Sequence, residues 1–197
     1  MTPDARERIL RTAAELFARL GVRGVGVEAV VEHADVSRQE LLALFPSKAG
    51  LVAEVMRRAH ADWRRRLAED VAARGGDPAA RLLHVFDALA ELCALPDVRT
   101  SPFFALRLEL TADEQPTADA AADHAQRLRL WLTDLARAAG APDPSLLAAQ
   151  LHQLVRGVIV MSRERDGDAG SLARATAAAL LAAHGVAPPA RPPSGGT

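Results

Sequence analysis

Along most of the chain the apolar residues return every three to four positions, and glycine or proline marks the breaks. From Asp4 to Leu20, Ile9, Ala13, Leu16, Phe17 and Leu20 form one stripe, while Arg6, Glu7, Arg11, Glu15 and Arg19 cover the other side. Pro3 and Asp4 suit the start of this helix, and Gly21 suits its stop. GVRGVG (21–26) makes a connector. Its glycines are out of order for a dinucleotide-binding loop, and no strand precedes them. Val27 to His33 predicts a short second helix with Val27, Val30 and Val31 inward, followed by a turn at Ala34-Asp35-Val36. The Ser37 hydroxyl suits the cap of a third helix, whose Leu41, Leu44 and Phe45 face the first. Pro46 ends that helix, because proline disfavours α geometry in the residue before it. Ser47 caps a helix running to about Arg74, about 40 Å long at the α-helical rise. That is too long for one small domain unless the helix joins two.

Beyond GGDP (75–78) the same pattern predicts helices over Ala79–Ala94, Phe103–Leu110, Thr117–Ala139, Ser145 to about Arg163, and Ser171–His184. The breaks are LPDVRTSP (95–102), TADEQP (111–116), GAPDP (140–144) and DGDAG (166–170). The expected fold is all-α with about nine helices: three short and compact, one long connector, and five in a larger bundle. The expected domains are 1–47, 48–185 and a Pro/Gly-rich tail, 186–197, of disordered composition.

Composition supports this. Hydrophobic residues are 49% of the 197, enough for a sizeable core, yet aromatics are 4% and tyrosine is absent. The apolar mass is Ala, Leu and Val, mixed with Arg and Glu, and most of these are strong helix formers. Period-2 runs of β-branched and aromatic residues are missing. The single Cys93 rules out an internal disulfide and suits a reducing cytosol. Charges begin at Asp4, which is unlike a signal peptide, and no apolar run reaches the about 20 residues needed to span a bilayer. A cytoplasmic protein with no membrane partner is expected. The net charge of −1 hides an asymmetry. Residues 1–66 carry 12 Lys/Arg and 9 Asp/Glu, net +3, and residues 67–197 carry 12 and 16, net −4. A basic front hints at a polyanion partner near the N-terminus.

Enzymatic chemistry finds little support. There is no G-x-S-x-G, P-loop or H-E-x-x-H, and the six histidines lack metal-ligand spacing. Cys93 has no adjacent base in sequence and reads as a small buried hydrophobe. No catalytic residue, metal or cofactor is expected.

The segment 5–56 resembles the N-terminal DNA-binding domain of TetR-family transcriptional regulators. The resemblance is carried by ILRTAAELFARLG, EAVVEHADVS and above all LFPSKAGLVAEV. SPFFALRLEL and LRLWLTDLARAAGAPDPSLLAAQLHQLVRGVIV are similar to a ligand-binding domain found in some members. The resemblance implies a homodimeric repressor in which an N-terminal helix-turn-helix domain is joined by the long helix to a C-terminal ligand-binding and dimerisation bundle. Each third helix would enter a major groove of a palindromic operator in double-stranded DNA. A small-molecule effector in the bundle would change the spacing of the two heads.

The third helix departs from the family pattern. Members commonly carry Gly at the position of Asp35, Thr at Glu40, Thr at Gly26, and aromatic or His residues at Leu42, Ala43 and Leu44. Those groups donate to phosphates or pack on the sugar backbone, whereas a carboxylate facing phosphate is repelled. Glu40 could instead accept from a cytosine amine, and Leu42 and Ala43 could touch a thymine methyl. Arg38 could pair with guanine and Gln39 with adenine. Ser47, with the N–H groups after Pro46, could hold a phosphate, and Ser37, Lys48 and Arg23 add donors. The expected DNA-binding set is therefore Arg23, Ser37, Arg38, Gln39, Glu40, Leu42, Ala43, Ser47 and Lys48, with a shallow salt dependence. The other reading is a dimeric small-molecule-binding protein whose head no longer binds DNA.

For the effector, Trp63 either lines a pocket or packs where the two domains meet. Apolar candidates are Phe86, Leu89, Phe103, Phe104 and Trp131; polar candidates are Arg107, Glu109, His124, His152 and Arg156, each also readable as an ordinary surface or satisfied residue. Small residues recur in 146–161 and 172–185. They suit an isologous four-helix dimer interface through Leu151, Val155, Val158, Ala173, Ala177 and Leu180, or tight packing within the chain.

Overall fold

The computed structural model describes residues 4–95, 115–162 and 168–187. Among the described residues there are eight helices and no strand: α1 (Ala5–Leu20), α2 (Val27–Ala34), α3 (Arg38–Leu44), α4 (Lys48–Ala73), α5 (Pro78–Ala94), α6 (Gln115–Ala138), α7 (Pro144–Met161) and α8 (Ala169–Ala183). The all-α expectation holds. The helix expected over 103–110 lies outside the described residues.

Local chemistry explains where the helices begin and end. Gly21, at φ 75°, closes α1 and donates its N–H to the Phe17 carbonyl at 3.0 Å. Asp77 caps α5 by accepting from the Ala80 N–H at 2.8 Å, with Pro78 in the first turn. Asp143 caps α7 in the same way, accepting from the Leu146 N–H at 3.0 Å ahead of Pro144. Gly140, at φ 78°, ends α6 one residue after Ala139, near the expected stop.

The residues pack into two compact units. The first takes the chain through Trp63 together with α6 as far as Ala125; the second takes Arg64–Leu95 and the chain from Gln126. In the first unit Ile9, Leu10, Ala13, Leu16 and Phe17 of α1 meet Val30, Leu41 and Phe45, with Leu51, Val52, Val55 and Met56 of α4. Val27, Val31 and Val36 are half-buried against this cluster. Two positions of the apolar pattern turn outward. Leu20 ends its helix exposed, and Leu44 is exposed although its neighbours Leu41 and Phe45 are buried. Helix α3 has only seven residues, so one narrow side suffices to anchor it.

In the second unit α8 packs along α5 and α7. Leu82, Val85, Phe86 and Leu89 of α5, Leu147, Leu151 and Val155 of α7, and Ala173, Ala177 and Leu181 of α8 are buried. The contact is close at the start of α8, where a Cβ on Gly170 would lie 2.4 Å from that of Ala90.

Candidate nucleic-acid interface

Helix α3 is presented by the turn before it and pinned by Leu41 and Phe45 beneath it. The turn is a Schellman motif, in which the Val36 N–H donates to the Val31 carbonyl at 3.3 Å and the Asp35 N–H to Glu32 at 3.4 Å. Asp35 takes the left-handed conformation this requires, φ 51° and ψ 57°. Arg8 reaches from α1 to fasten the turn, its Nε donating to the Ala34 carbonyl at 3.3 Å and its Nη2 to that of Asp35 at 3.4 Å.

Ser37 then opens α3 with a complete capping box. Its Oγ accepts from the Glu40 N–H at 3.1 Å, and the Glu40 carboxylate accepts from the Ser37 N–H at 2.8 Å. That bond from the Ser37 backbone, then the one involving its side chain, holds the Glu40 carboxyl below its ordinary value. The reading of Glu40 as a base-edge acceptor gives way to a structural one. Ser-x-x-Glu ahead of an apolar pair is the signature that could have shown this.

Of the other candidates, Arg38 sets its Nε 3.5 Å from the Glu28 carboxylate, both side chains being mostly exposed (67% and 75%). Glu28 was not among the residues expected in the interface. Gln39, Leu42 and Ala43 stand on the exposed side of α3, and Arg23 is exposed in the connector before α2. Ser47 accepts the Gly50 N–H at 3.0 Å and so caps α4, while Lys48 is half-buried in its first turn. The structure thus brings Ser37, Arg38, Gln39, Glu40, Leu42 and Ala43 onto one short element, with Ser47 and Lys48 at the start of the next.

The effector candidates are more scattered. Trp63 is buried in the first unit with two buried histidines. The rings of His60 and His124 lie 4.1 Å apart between centroids, and Trp63 meets His124 edge-on at 5.6 Å. His60 went unnoticed in the sequence, although it is three residues before Trp63 on one helix face. Phe86 and Leu89 are buried in the core of the second unit, where His152 is also buried and Trp131 half-buried. Arg156 is exposed on α7. Phe103, Phe104, Arg107 and Glu109 lie outside the described residues. As for the dimer candidates, Leu151, Val155, Val158, Ala173 and Ala177 are buried within the single chain and Leu180 is half-buried. The large apolar side chains left exposed on α7 and α8 are Leu146, Val160 and Leu172.

Residues 9–55, which take in most of α1, all of α2 and α3 and the start of α4, match the model of the tetR family of bacterial regulatory proteins. Among solved structures, a putative TetR transcriptional regulator of Streptomyces avermitilis is 29% identical. The match covers 94% of this chain and 100% of that one, with a TM-score of 0.67. A TetR-family transcriptional regulator of Streptomyces coelicolor is 19% identical over 91% of this chain and 95% of its own, TM-score 0.73. A putative transcriptional regulator of Saccharomonospora viridis, in complex with choline, is 22% identical over 95% and 98%, TM-score 0.68. No curated protein sequence matches the chain.

Proposed function

We propose that the chain, whose residues 9–55 match the tetR family model, is a TetR-type regulator that works as a homodimer, binds a palindromic operator and leaves it when a small molecule binds. One observation carries the DNA-binding part. Helix α3 is exposed along its outer side, yet it is capped at its start, fixed by a hydrogen-bonded turn and anchored on an intact apolar core. A helix held that rigidly, and left exposed by the other described residues, suits a preformed reading element.

Two copies would join through the outward sides of α7 and α8, where Leu146, Val160 and Leu172 are exposed and Gly157 has open space beside it. The residues first expected there, Leu151, Val155, Val158, Ala173 and Ala177, serve the packing beneath. For the effector, the buried His60, Trp63 and His124 rings combine apolar bulk with imidazole groups able to give or take a hydrogen bond. The Saccharomonospora neighbour, in complex with choline, supports a small-molecule effector for this fold. Repression then follows by population shift, since the effector need only bind better to a form whose heads no longer match the two half-sites.

The test is selection from a randomised duplex pool with the purified protein at low salt, with and without cell extract. A palindrome is expected, and its loss on adding extract would reveal the effector. If no sequence is enriched, the dimeric small-molecule-binding protein with a silent head is the better description.

A further inference from the structure

We infer that the reading head selects its half-site through thymine methyl groups and an adenine edge, with Gln39, Leu42 and Ala43 as the specificity-determining residues. The inference deepens the DNA-binding reading above and rests on it. Gln39, Leu42 and Ala43 stand at i, i+3 and i+4, so they share one face of α3, and that face lies away from the buried Leu41. All three are exposed, Leu42 at 36%.

The charged residues of the same helix are already engaged. Glu40 closes the capping box with Ser37. Arg38 turns to the Glu28 carboxylate of α2. An arginine drawn from that pair to a guanine would leave the Glu28 carboxylate facing the duplex, which works against guanine at that position. What remains exposed on the helix is one amide, Gln39, and the aliphatic Leu42, Ala43 and Leu44, of which Leu42 and Ala43 share the face of Gln39. In the major groove an amide side chain matches the N6 donor and N7 acceptor of adenine, and aliphatic groups match the thymine methyl, the one apolar feature a base pair offers there. The surrounding charge fits a duplex, since residues 1–66 carry net +3. An A·T-rich half-site follows.

The test uses the full-length protein and the operator recovered by selection. Each thymine is replaced in turn by deoxyuridine, which removes only the 5-methyl group, and binding is measured at fixed salt. One or two positions per half-site are expected to weaken binding roughly three- to fivefold, the effect of one methyl withdrawn from an apolar contact. Leu42→Ala, an exposed change that leaves the core alone, should erase the penalty at its own position. Gln39→Ala should relax the preference for adenine. Three results overturn the inference while leaving DNA binding intact: uridine tolerated at every thymine, a uridine penalty that Leu42→Ala leaves unchanged, or a G·C-centred half-site whose preference vanishes in Arg38→Ala. Failure to enrich any duplex overturns both readings.

Discussion

Asp35 gives the sharpest test of how the reading helix is presented. It takes φ 51°, a region that costs an L-residue about 1–2 kcal/mol, with Asp at the lower end because its side chain can bond locally. Glycine reaches this conformation freely but loses about 0.5–1 kcal/mol more chain entropy on folding. Replacing the side chain leaves the backbone bonds untouched, namely those from Asp35 to Glu32, from Val36 to Val31, and from Arg8 to the carbonyls of Ala34 and Asp35. The macrodipole adds little, since the carboxylate sits badly at the end of α2 and well at the start of α3. Asp35→Gly is therefore expected to stabilise the chain by at most about 0.5 kcal/mol, a rise of no more than about 1–2 °C in Tm. It should also tighten duplex binding, because an exposed carboxylate leaves the helix-turn-helix. Asp35→Ala removes the same charge but keeps a Cβ in the strained region, so it should destabilise by about 1 kcal/mol. Urea unfolding followed by far-UV circular dichroism measures both. If Asp35→Ala proves as stable as Asp35→Gly, the left-handed turn is not what holds α3 in place.

Three further outcomes are expected. Gly170→Ala drives a methyl group to 2.4 Å from the Ala90 Cβ; overpacking of about 1–3 kcal/mol outweighs the gain of up to about 1 kcal/mol in helix propensity, and Ala90→Gly should relieve most of the loss in a double-mutant cycle. Burial raises the Glu54 carboxyl, but hydrogen bonds from Arg6 and Arg57 outweigh it and leave the group below its ordinary 4.5. Its contribution to stability is thus present above pH 4.5 and lost as pH falls through the lower folded value, and Glu54→Gln should flatten an acid-unfolding curve in that window. Cys93 is buried and its thiol is pushed up to about 11 by that burial, against a weaker opposing bond involving Ser162. A thiol reagent at neutral pH should label it only after denaturant is added, and rapid labelling of the native protein would contradict the burial.

The sequence exposed most of the helices because their ends carry short-range signals. Gly21, Ser37, Asp77, Pro78, Gly140 and Pro144 each act within a few residues, so their effect can be read without knowing the fold. The core of the first unit was legible for the same reason, since Ile9, Ala13, Leu16 and Phe17 repeat at helical spacing. What stayed hidden involves partners distant in sequence. Periodicity cannot show that Glu28 faces Arg38, or that Arg8 ties down residues 34 and 35, because those pairs form only when three helices assemble. The dimer candidates show the same limit. Small residues on α7 and α8 promise close packing, but spacing alone does not say whether the neighbour is another copy or α5 of the same chain.

The acidic residues around α3 first suggest a head that has lost its affinity for DNA. Each has work within the chain: Glu40 completes the cap of α3, Glu28 holds Arg38, and Asp35 supplies the left-handed turn. Cations of the first unit are engaged within the chain as well, for Arg6 pairs with Glu54 and Arg58 with Glu7 at 2.8 and 2.7 Å. Phosphate neutralisation contributes most of the sequence-independent affinity of any DNA-binding protein. A head that neutralises few phosphates therefore loses non-specific binding along with strength. Genomic DNA offers a vast excess of wrong sites, so occupancy of the right one depends on the ratio of the two affinities. The proposed contacts to thymine methyls and an adenine edge would keep their discrimination when the electrostatic background is low. A modest absolute affinity is then compatible with a selective regulator.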